Sequence, residues 1–559
     1  MRCGELHLSI VQGWAESMSN ELFFSFLGSL VICMALIPVL MATAGRLQFV
    51  DLPDHRKIHH VPMAKVGGIA FAVGTFVAML LWAPKDPIVT SGLIGGAVIL
   101  LFGAWDDRVG LGYKAKFLGQ LIAAAVVVWV GGVHISSLPF MGETPLPLWI
   151  AVPVTLFLLV AVTNALNLAD GLDGLAGGLS LLSFVGMAFL AYLTDDWVMM
   201  SMMVAVLGGL LGFLRFNTYP ASIFMGDAGS QFLGFYLGLC AIVLTDPARG
   251  PYSPALISLI WGLPILDTAG VMIQRLVERR SPFVADKNHI HHKLLGFGLS
   301  HREAVMVIYG LQAVLVSLAF SLRWQTDIEV LAIYTVFACA IFSVFVIRAD
   351  RFFASRIHKE SPAIPEVRSP AGAGWFSKLP LYMLACAVAV FFLASVFLPS
   401  HVPLDVGAVA LLLSLLLPIG AGIFPSAAPW FMRVGLYVGG TFVLYLSDQG
   451  VSETQRIFHT PLNVFFLCLA ILIMLTVRFG SAHRFQTTPL DYLILFLALV
   501  IPFLPEIQVE GINVSLLTAK MIVLFFAFEL LLDTFAERVK SIGFVLLWVL
   551  LGLGFRAWW

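Results

Sequence analysis

Apolar residues in this chain come in long unbroken runs separated by short polar stretches, and segments such as 156–162 and 544–551 carry no charged residue at all. That rhythm is neither the strict alternation of a half-buried strand nor the spaced stripe of a surface helix. A first set of runs covers 21–43, 67–83, 91–105, 117–133, 148–163, 175–193, 198–214, 229–245, 253–274, 303–322 and 329–347, and a second set fills 381–559. At about 20 residues per crossing, the pattern predicts an all-α polytopic membrane protein with about 11 transmembrane helices in a core and about 7 in a C-terminal extension. Continuous runs exclude the alternating strands of a lipid-facing barrel, and backbone groups in lipid must pair within their own segment, which again favours helices.

Composition sharpens this picture. Of 559 residues, 60% are hydrophobic and 12% charged, against about 25% charged in an ordinary soluble domain, so a water-soluble fold is excluded. The net charge of −1 gives no reason to expect a nucleic-acid partner. Membrane lipids are the expected surroundings. The six cysteines (Cys3, Cys33, Cys240, Cys339, Cys386 and Cys468) have no metal-site spacing and are expected to pack in apolar runs. Residues 1–20 are largely polar and lack a cleavable signal peptide, so they are expected as an external N-terminal segment, with Met18 an alternative start.

Lys and Arg collect in loops on one side of the first set, including Arg46, Lys65, Arg108, Arg215, Arg275 and Arg302, against Arg2, Lys85, Arg249 and Arg323 on the other. The positive-inside bias therefore predicts an external N-terminus and cytoplasmic basic loops, as in a multi-pass protein of the inner membrane. A basic stretch with Pro362, Pro365 and Pro370 marks 348–380 as a cytoplasmic linker between a 21–347 core and a 381–559 module. In that module Glu529 and Asp533, near Arg538, are expected to form a solvated ion-pair face, and Lys520 to snorkel. The module shows no legible site. Oligomerisation, lipid handling, a partner surface, or transport are its candidate roles.

In a chain so poor in charge, acids, histidines and asparagines clustered at span ends are informative. Five such clusters fall on the predicted cytoplasmic side. The first, Asp51-Leu-Pro-Asp54-His-Arg56-Lys57-Ile-His59-His60, could bind phosphate, although a solvated basic loop explains it as well. The second is Asp106-Asp107-Arg108, followed by Lys114 and Lys116. Adjacent carboxylates near lipid repel unless a cation bridges them or one is protonated, which points to Mg²⁺ or a general base, with a hydrated helix end as the plain alternative. In the third, the spacing of Asn164, Asn167, Asp170 and Asp173 predicts an amide and carboxylate ladder along one face of a helix end. The fourth, Phe224-Met-Gly226-Asp227-Ala-Gly229-Ser230, sets an acid between glycines beside an aromatic platform, as a metal ligand in a tight turn requires. The fifth, Asp286-Lys-Asn-His289-Ile-His291-His292-Lys293, has no cysteine nearby, and its spacing predicts rings on different sides of a turn, which suits phosphate or sugar at least as well as zinc. Asp267, inside the ninth run, needs a partner or a hydrated cavity.

Together and in this order, the motifs resemble the polyprenyl-phosphate N-acetylhexosamine-1-phosphate transferases of glycosyltransferase family 4, which include MraY, WecA and TagO. The matching elements are Asp106-Asp107, the string NALNLADGLDGL from Asn164 to Leu175, FMGDAGS at 224–230, HIHH at 289–292 and the pattern from Asp51 to His59. They span roughly residues 20 to 350, and the histidine loop resembles the WecA/TagO branch. The resemblance implies transfer of N-acetylhexosamine-1-phosphate, best GlcNAc-1-phosphate, from a UDP-sugar to undecaprenyl or another polyprenyl phosphate, releasing UMP. It implies Mg²⁺, with Mn²⁺ able to substitute, held by Asp227 and Asp107. It further implies Asp106 as the base keeping the lipid phosphate deprotonated, supported by Asp107. Asn164, Asn167, Asp170 and Asp173 would hold the nucleotide, Phe224 would stack on uracil, and Lys57, Lys116, His289, His291 and His292 would contact phosphate or sugar. A homodimer is among the expected partners. The alternative class is a polytopic transporter or flippase, which places its polar residues near the bilayer midplane rather than at span ends. The 381–559 module is where this chain departs from the family pattern.

Overall fold

The computed structural model describes residues 2–51, 62–141, 144–280, 288–355, 379–397, 402–423, 428–448, 456–479, 508–509, 512–534 and 539–558. It is an all-α protein with two short antiparallel hairpins among the described residues. Two compact units are present, one comprising Asn20–Pro362 and Thr488–Leu493, the other Met1–Ser19, Ala363–Thr487 and Ile494–Trp559.

In the first unit the chain runs through the part of α1 (Arg2–Leu47) that follows Ser19, the strands β1 (Val50–Asp51) and β2 (Met63–Ala64), then α2 (Gly67–Trp82), α3 (Pro87–Val109), α4 (Tyr113–Trp129) and α5 (Leu148–Ala169). It continues through α6 (Leu175–Leu193), α7 (Trp197–Asn217), α8 (Gly226–Leu244), α9 (Ile257–Ile260), α10 (Gly262–Val277), α11 (Ile290–Gly296), α12 (His301–Ser321) and α13 (Asp327–Ser355). All eleven runs of the first set fall on these helices. By length and composition, eight described helices can cross a membrane, or nine with one broken span. The shortfall lies in α2 and α4, with 16 and 17 residues.

Helix α8 is the hub. It packs against α2, α3, α5 and α6 and is buried along nearly its whole length. Small residues permit the approach, as in other membrane bundles. A Cβ on Gly68 would lie 2.3 Å from the Gly229 nitrogen, and one on Gly103 would lie 2.5 Å from Ala228 Cα. These contacts bring the ends of α2 and α3 against the start of α8. Polar side chains also cross-link the bundle: Gln120 Nε2 donates to Gln231 Oε1 at 2.9 Å, and Asn164 Nδ2 donates to Gln120 Oε1 at 2.6 Å.

The ninth run, expected as one span over 253–274, is broken. Pro254–Ile260 and Gly262–Val277 meet at 84°. Pro264 lacks the N–H that would continue the helical ladder, and the Ile260 carbonyl accepts instead from Ser183 Oγ at 2.9 Å and Gln312 Nε2 at 3.1 Å. Gln312 Oε1 in turn accepts from Leu263 N at 3.1 Å. Beyond the break, α10 presents Ile273, Leu276 and Val277 on its exposed side while Arg275 is buried.

The second unit holds helices Leu379–Ser395, Leu404–Ile423, Ala428–Asp448, Arg456–Phe479, Val514–Thr534 and Val539–Arg556 among its described residues. The run expected near 490–504 lies outside the described residues. Two expectations are corrected here. Glu529 does not form a solvated face: Arg433 Nε lies 3.3 Å from its Oε1, and the Tyr437 hydroxyl donates to the same oxygen in a largely buried contact between helices. Lys520 is buried, at 2% exposure, rather than reaching the surface. Of the described cysteines, Cys33 and Cys240 pack inside the first unit as expected, whereas Cys339, Cys386 and Cys468 are exposed free thiols.

Candidate active site

The contact between α3 and α8 places the paired acids. Gly103 lies flat on Ala228, and one turn later Asp106 and Asp107 reach the first turn of α8. Asp107 accepts the backbone N–H of Asp227 through Oδ1 and that of Ala228 through Oδ2, both at 2.9 Å. It caps α8 from outside the helix, meeting two of the unpaired donors at a positively polarised end. Gly226, at φ 71°, leaves the room this needs, since a Cβ there would lie 2.5 Å from Asp107 Oδ2.

Asp106 is buried and accepts from the Leu111 backbone N–H. The Lys116 ammonium, from the first turn of α4, pairs with Asp106 Oδ2 and lies 2.8 Å from Asp227 Oδ2. One cation thus bridges two carboxylates contributed by different helices. A second cation, Lys65, follows β2 and pairs with Asp51 at 3.0 Å. Burial would lower the Lys65 pKa, but the carboxylates of Asp51, Asp107 and Asp227 hold it above the usual lysine value.

The expected ladder runs off its helix. Asn164 and Asn167 sit on α5, with Asn164 joined to Gln120 and Asn167 Oδ1 accepting from Ser230 Oγ at 2.8 Å. The helix ends at Ala169, with Asp170 as its C-cap. Burial, followed by the charges of Asp227, Asp107 and Asp173, pushes Asp170 up to about 7. Asp173 leaves the stripe, because the helix has ended and the chain turns at Gly171 before reaching it; its Oδ2 accepts from Ala221 N at 3.0 Å, and Gly174, at φ 78°, completes the turn into α6. Asn217 fixes this turn, its Oδ1 accepting from Gly174 N at 3.0 Å while its Nδ2 donates to the Ile223 carbonyl at 2.9 Å. Tyr309 donates to the Gly174 carbonyl at 2.6 Å.

The histidines also depart from their expected placement. His289 and His291 stack with ring centroids 5.9 Å apart and an interplanar angle of 7°, and His292 lies 4.2 Å from His291, so the three rings form one row. Asp267 anchors the row: its Oδ2 is 2.9 Å from His289 Nδ1, and its Oδ1 accepts from Ile290 N at 2.8 Å. His291 lies directly over Gly171, where a Cβ would fall 2.3 Å from its Nε2. Burial, then the neighbouring His292, lowers the His291 pKa to about 4. It is therefore a neutral ring near pH 7.

Phe224 is held by its backbone, its N–H donating to the Ala64 carbonyl at 2.9 Å and its carbonyl accepting from Gly67 N at 3.1 Å. The structure thus gathers Asp106, Asp107, Asp227 and Lys116 at one point, sets Asn167 and Asp170 beside them, and lays His291 on the same loop. Asn164 is tied into the helix network and Asp173 turns aside. Lys57 lies outside the described residues, as do most of the first cluster. Sequence reasoning missed Lys65, Gln120, Asn217 and the His301 ring, which stacks on Tyr219 at 4.4 Å. Each has an ordinary neighbourhood in the sequence, and only Lys65, two residues before the Gly67-Gly68 pair, carried even a positional hint.

Among the described residues, no three acid, histidine or cysteine side chains converge as a ready-made metal cage. Mg²⁺ does not require one, because it keeps several waters and typically takes one or two carboxylates plus substrate phosphates. Asp227 and Asp106 already share one cation, the Lys116 ammonium, so hard oxygen donors of the right kind are present. Asp107 fits less well as a ligand, since both its oxygens accept helix N–H groups.

The site is therefore a set of paired acids, a bridging lysine and a histidine row at one end of an all-α membrane bundle. Comparison with known proteins gives the family. The family model described as glycosyl transferase family 4 matches residues 89–245. The chain is 36% identical over 287 residues to the probable undecaprenyl-phosphate N-acetylglucosaminyl 1-phosphate transferase of Bacillus subtilis, covering 51% of this chain and 80% of that protein. It is 35% identical to the decaprenyl-phosphate N-acetylglucosaminephosphotransferase of Mycobacterium tuberculosis, over 48% of this chain and 74% of the relative. The undecaprenyl-phosphate alpha-N-acetylglucosaminyl 1-phosphate transferase of Escherichia coli is 28% identical, over 54% and 83%. The chain belongs to the polyprenyl-phosphate N-acetylhexosamine-1-phosphate transferase family, in its WecA/TagO-like branch.

Proposed function

We propose that this protein transfers N-acetylhexosamine-1-phosphate, with GlcNAc-1-phosphate the best-supported group, from a UDP-sugar to undecaprenyl or a related polyprenyl phosphate. The products are a polyprenyl-diphosphate sugar and UMP, the first membrane step in building a cell-envelope glycan. The observation that carries this reading is the Lys116 ammonium shared by Asp106 and Asp227 beside an α8 start that Asp107 holds in place. The relatives, all named as transferases of this kind, support it, and they lend nothing to a transporter reading of the core.

In the reaction, an oxygen of the lipid phosphate attacks the phosphorus that carries the sugar, and the bond from that phosphorus to the UMP oxygen breaks. Asp106 keeps the attacking phosphate deprotonated, and its burial beside Lys116 holds the carboxylate at a fixed point. Lys116 screens the two anions as they meet. Asp107 acts through the backbone, fixing the first turn of α8 so that Asp227 faces the phosphates, and this positioning role replaces its expected role as ligand. Asp227, with Asp106 adjacent, would hold Mg²⁺, which when bound supplies charge screening at the diphosphate. Asn167 and Asp170 line the nucleotide side, Phe224 offers its ring to uracil, and the neutral His291, with His289 and His292, suits sugar hydroxyls. The basic residues Arg46, Arg108, Arg215 and Arg302 near the same helix ends support a cytoplasmic face for the site.

The test is to incubate purified protein with labelled UDP-GlcNAc, undecaprenyl phosphate and Mg²⁺. Label is expected in the lipid phase with one UMP released per transfer. Label that stays water-soluble with every UDP-N-acetylhexosamine tried would overturn the reading.

A further inference from the structure

The acid cluster needs more positive charge than Lys116 alone provides. Asp106, Asp107, Asp170 and Asp227 are neighbours, and Lys116 is already engaged by two of them. Into this surplus of negative charge the reaction proposed above brings two further phosphate-bearing anions. Lys65 is the described cation placed to meet them. Its ammonium is close enough for its charge to act on both Asp107 and Asp227, while its ion pair, at 3.0 Å, is with Asp51.

The backbone around Lys65 is pinned from two sides. Lys65 N donates to the Phe49 carbonyl at 2.9 Å, continuing the hairpin in which Asp51 pairs with Met63. On the other side the Ala64 carbonyl accepts from Phe224 N at 2.9 Å, and Gly68 N donates to the Met225 carbonyl at 2.9 Å. The hairpin is therefore laced to the segment that leads into Asp227, and the Lys65 Cα is fixed relative to the acids. What remains free is the four-carbon stem, whose ammonium can turn about that fixed point. The Lys65 and Asp51 side chains are 27% and 14% exposed, so the pair is open to a ligand. Partly exposed pairs contribute little net stability, and exchanging the carboxylate for a phosphate costs little.

We propose that Lys65 is a second phosphate-binding cation of the site, held by Asp51 when the site is empty and transferred to a substrate phosphate when it is filled. The inference rests on the functional reading above, and the phosphate is that of the lipid acceptor or that of the nucleotide donor. Both present the same chemistry, and separate binding measurements distinguish them.

The experiment measures calorimetric binding of UDP and, separately, of a short-chain polyprenyl phosphate to the full-length protein in nanodiscs, with no turnover required. Lys65→Met is expected to weaken one ligand or both by about tenfold, the usual loss when a charge-assisted contact to phosphate is removed. Lys65→Arg restores most of that binding. Asp51→Asn, which releases the ammonium, tightens the same ligand a few-fold. If Lys65→Met binds both ligands as the wild type does, the assignment falls. It also falls if Asp51→Asn weakens binding as much as Lys65→Met, because that pattern marks a pair that merely braces the hairpin. A wild type that binds neither ligand overturns the functional reading itself, and the Lys65 assignment with it.

Discussion

Two adjacent acids, Asp106 and Asp107, end up with different tasks because one faces a lysine and the other a helix end. This separation makes a distinct prediction for each neighbour of α8. Asp227→Asn keeps the shape of the side chain and the backbone N–H that Asp107 accepts, so folding is expected to be unaffected, while turnover falls at least a hundredfold, about the loss of one strong transition-state contact. Asp107→Ala is expected to lower the thermal midpoint as well as activity, because it uncaps α8, an effect of about 1 kcal/mol. Thermal unfolding in detergent, run beside the assay, checks both; an Asp107→Ala protein with an unchanged midpoint removes the capping role. His291 gives a pH prediction. Its folded-state pKa near 4 lies below the usual imidazole value, so between those values the unfolded chain binds the proton and the folded one does not. Stability from this group is complete above about pH 6.5 and is lost as pH falls toward 4. The midpoint of His291→Gln, which removes this term, is expected to fall less between pH 7.5 and pH 5 than that of the wild type.

At the scale of elements, the histidine row depends on Asp267. Its carboxylate links α10, just past the break, to the start of α11 through His289 and the Ile290 N–H. Asp267→Ala is expected to free α11 from that anchor and raise KM for the UDP-sugar about tenfold with a smaller change in kcat; steady-state kinetics with the donor varied measure the split, and an unchanged KM removes Asp267 from the donor side. The helices themselves were legible in the sequence, because a run such as 229–245 has one stable solution in lipid, and α8 occupies it. The break at Trp261–Gly262 was not, since an apolar sequence with one internal proline, Pro264, fits a straight or a bent span equally well until Gln312 and Ser183 appear beside the freed Ile260 carbonyl. The site was legible in part. Asp106, Asp107, Asn167, Asp170, Asp227 and the histidines stand out because charge is scarce, and the structure brings most of them to one end of the bundle. Their division of labour depends on where backbone N–H groups point, which periodicity does not encode. Asp173 illustrates this: its spacing fits the stripe, but the helix ends at Ala169 and the chain turns at Gly171 before it can join.

At the scale of the whole molecule, the chemistry and the extra spans separate cleanly. Every described residue of the candidate site lies within Asn20–Pro362, inside one compact unit, and the relatives align over about half of this chain while the alignment covers 80% of the Bacillus protein. Among the described residues of the second unit, Arg433, Tyr437 and Glu529 are locked together between two helices. A buried pair of this kind is strongly destabilising to split and contributes little when intact, so it is the signature of a packed interior rather than of a group offered to the transfer reaction. Removal of residues 381–559 is therefore expected to leave a chain that inserts in the membrane and transfers sugar phosphate with kcat within about threefold of the full protein, a change below 1 kcal/mol in the barrier. The measurement is the labelled-lipid assay on membranes containing matched amounts of each chain, with protease protection used to confirm insertion. Complete loss of transfer in a correctly inserted truncation would show that the second unit completes the enzyme. Retained transfer with lower accumulation of lipid product in whole cells would instead assign the extra spans to a step after the chemistry.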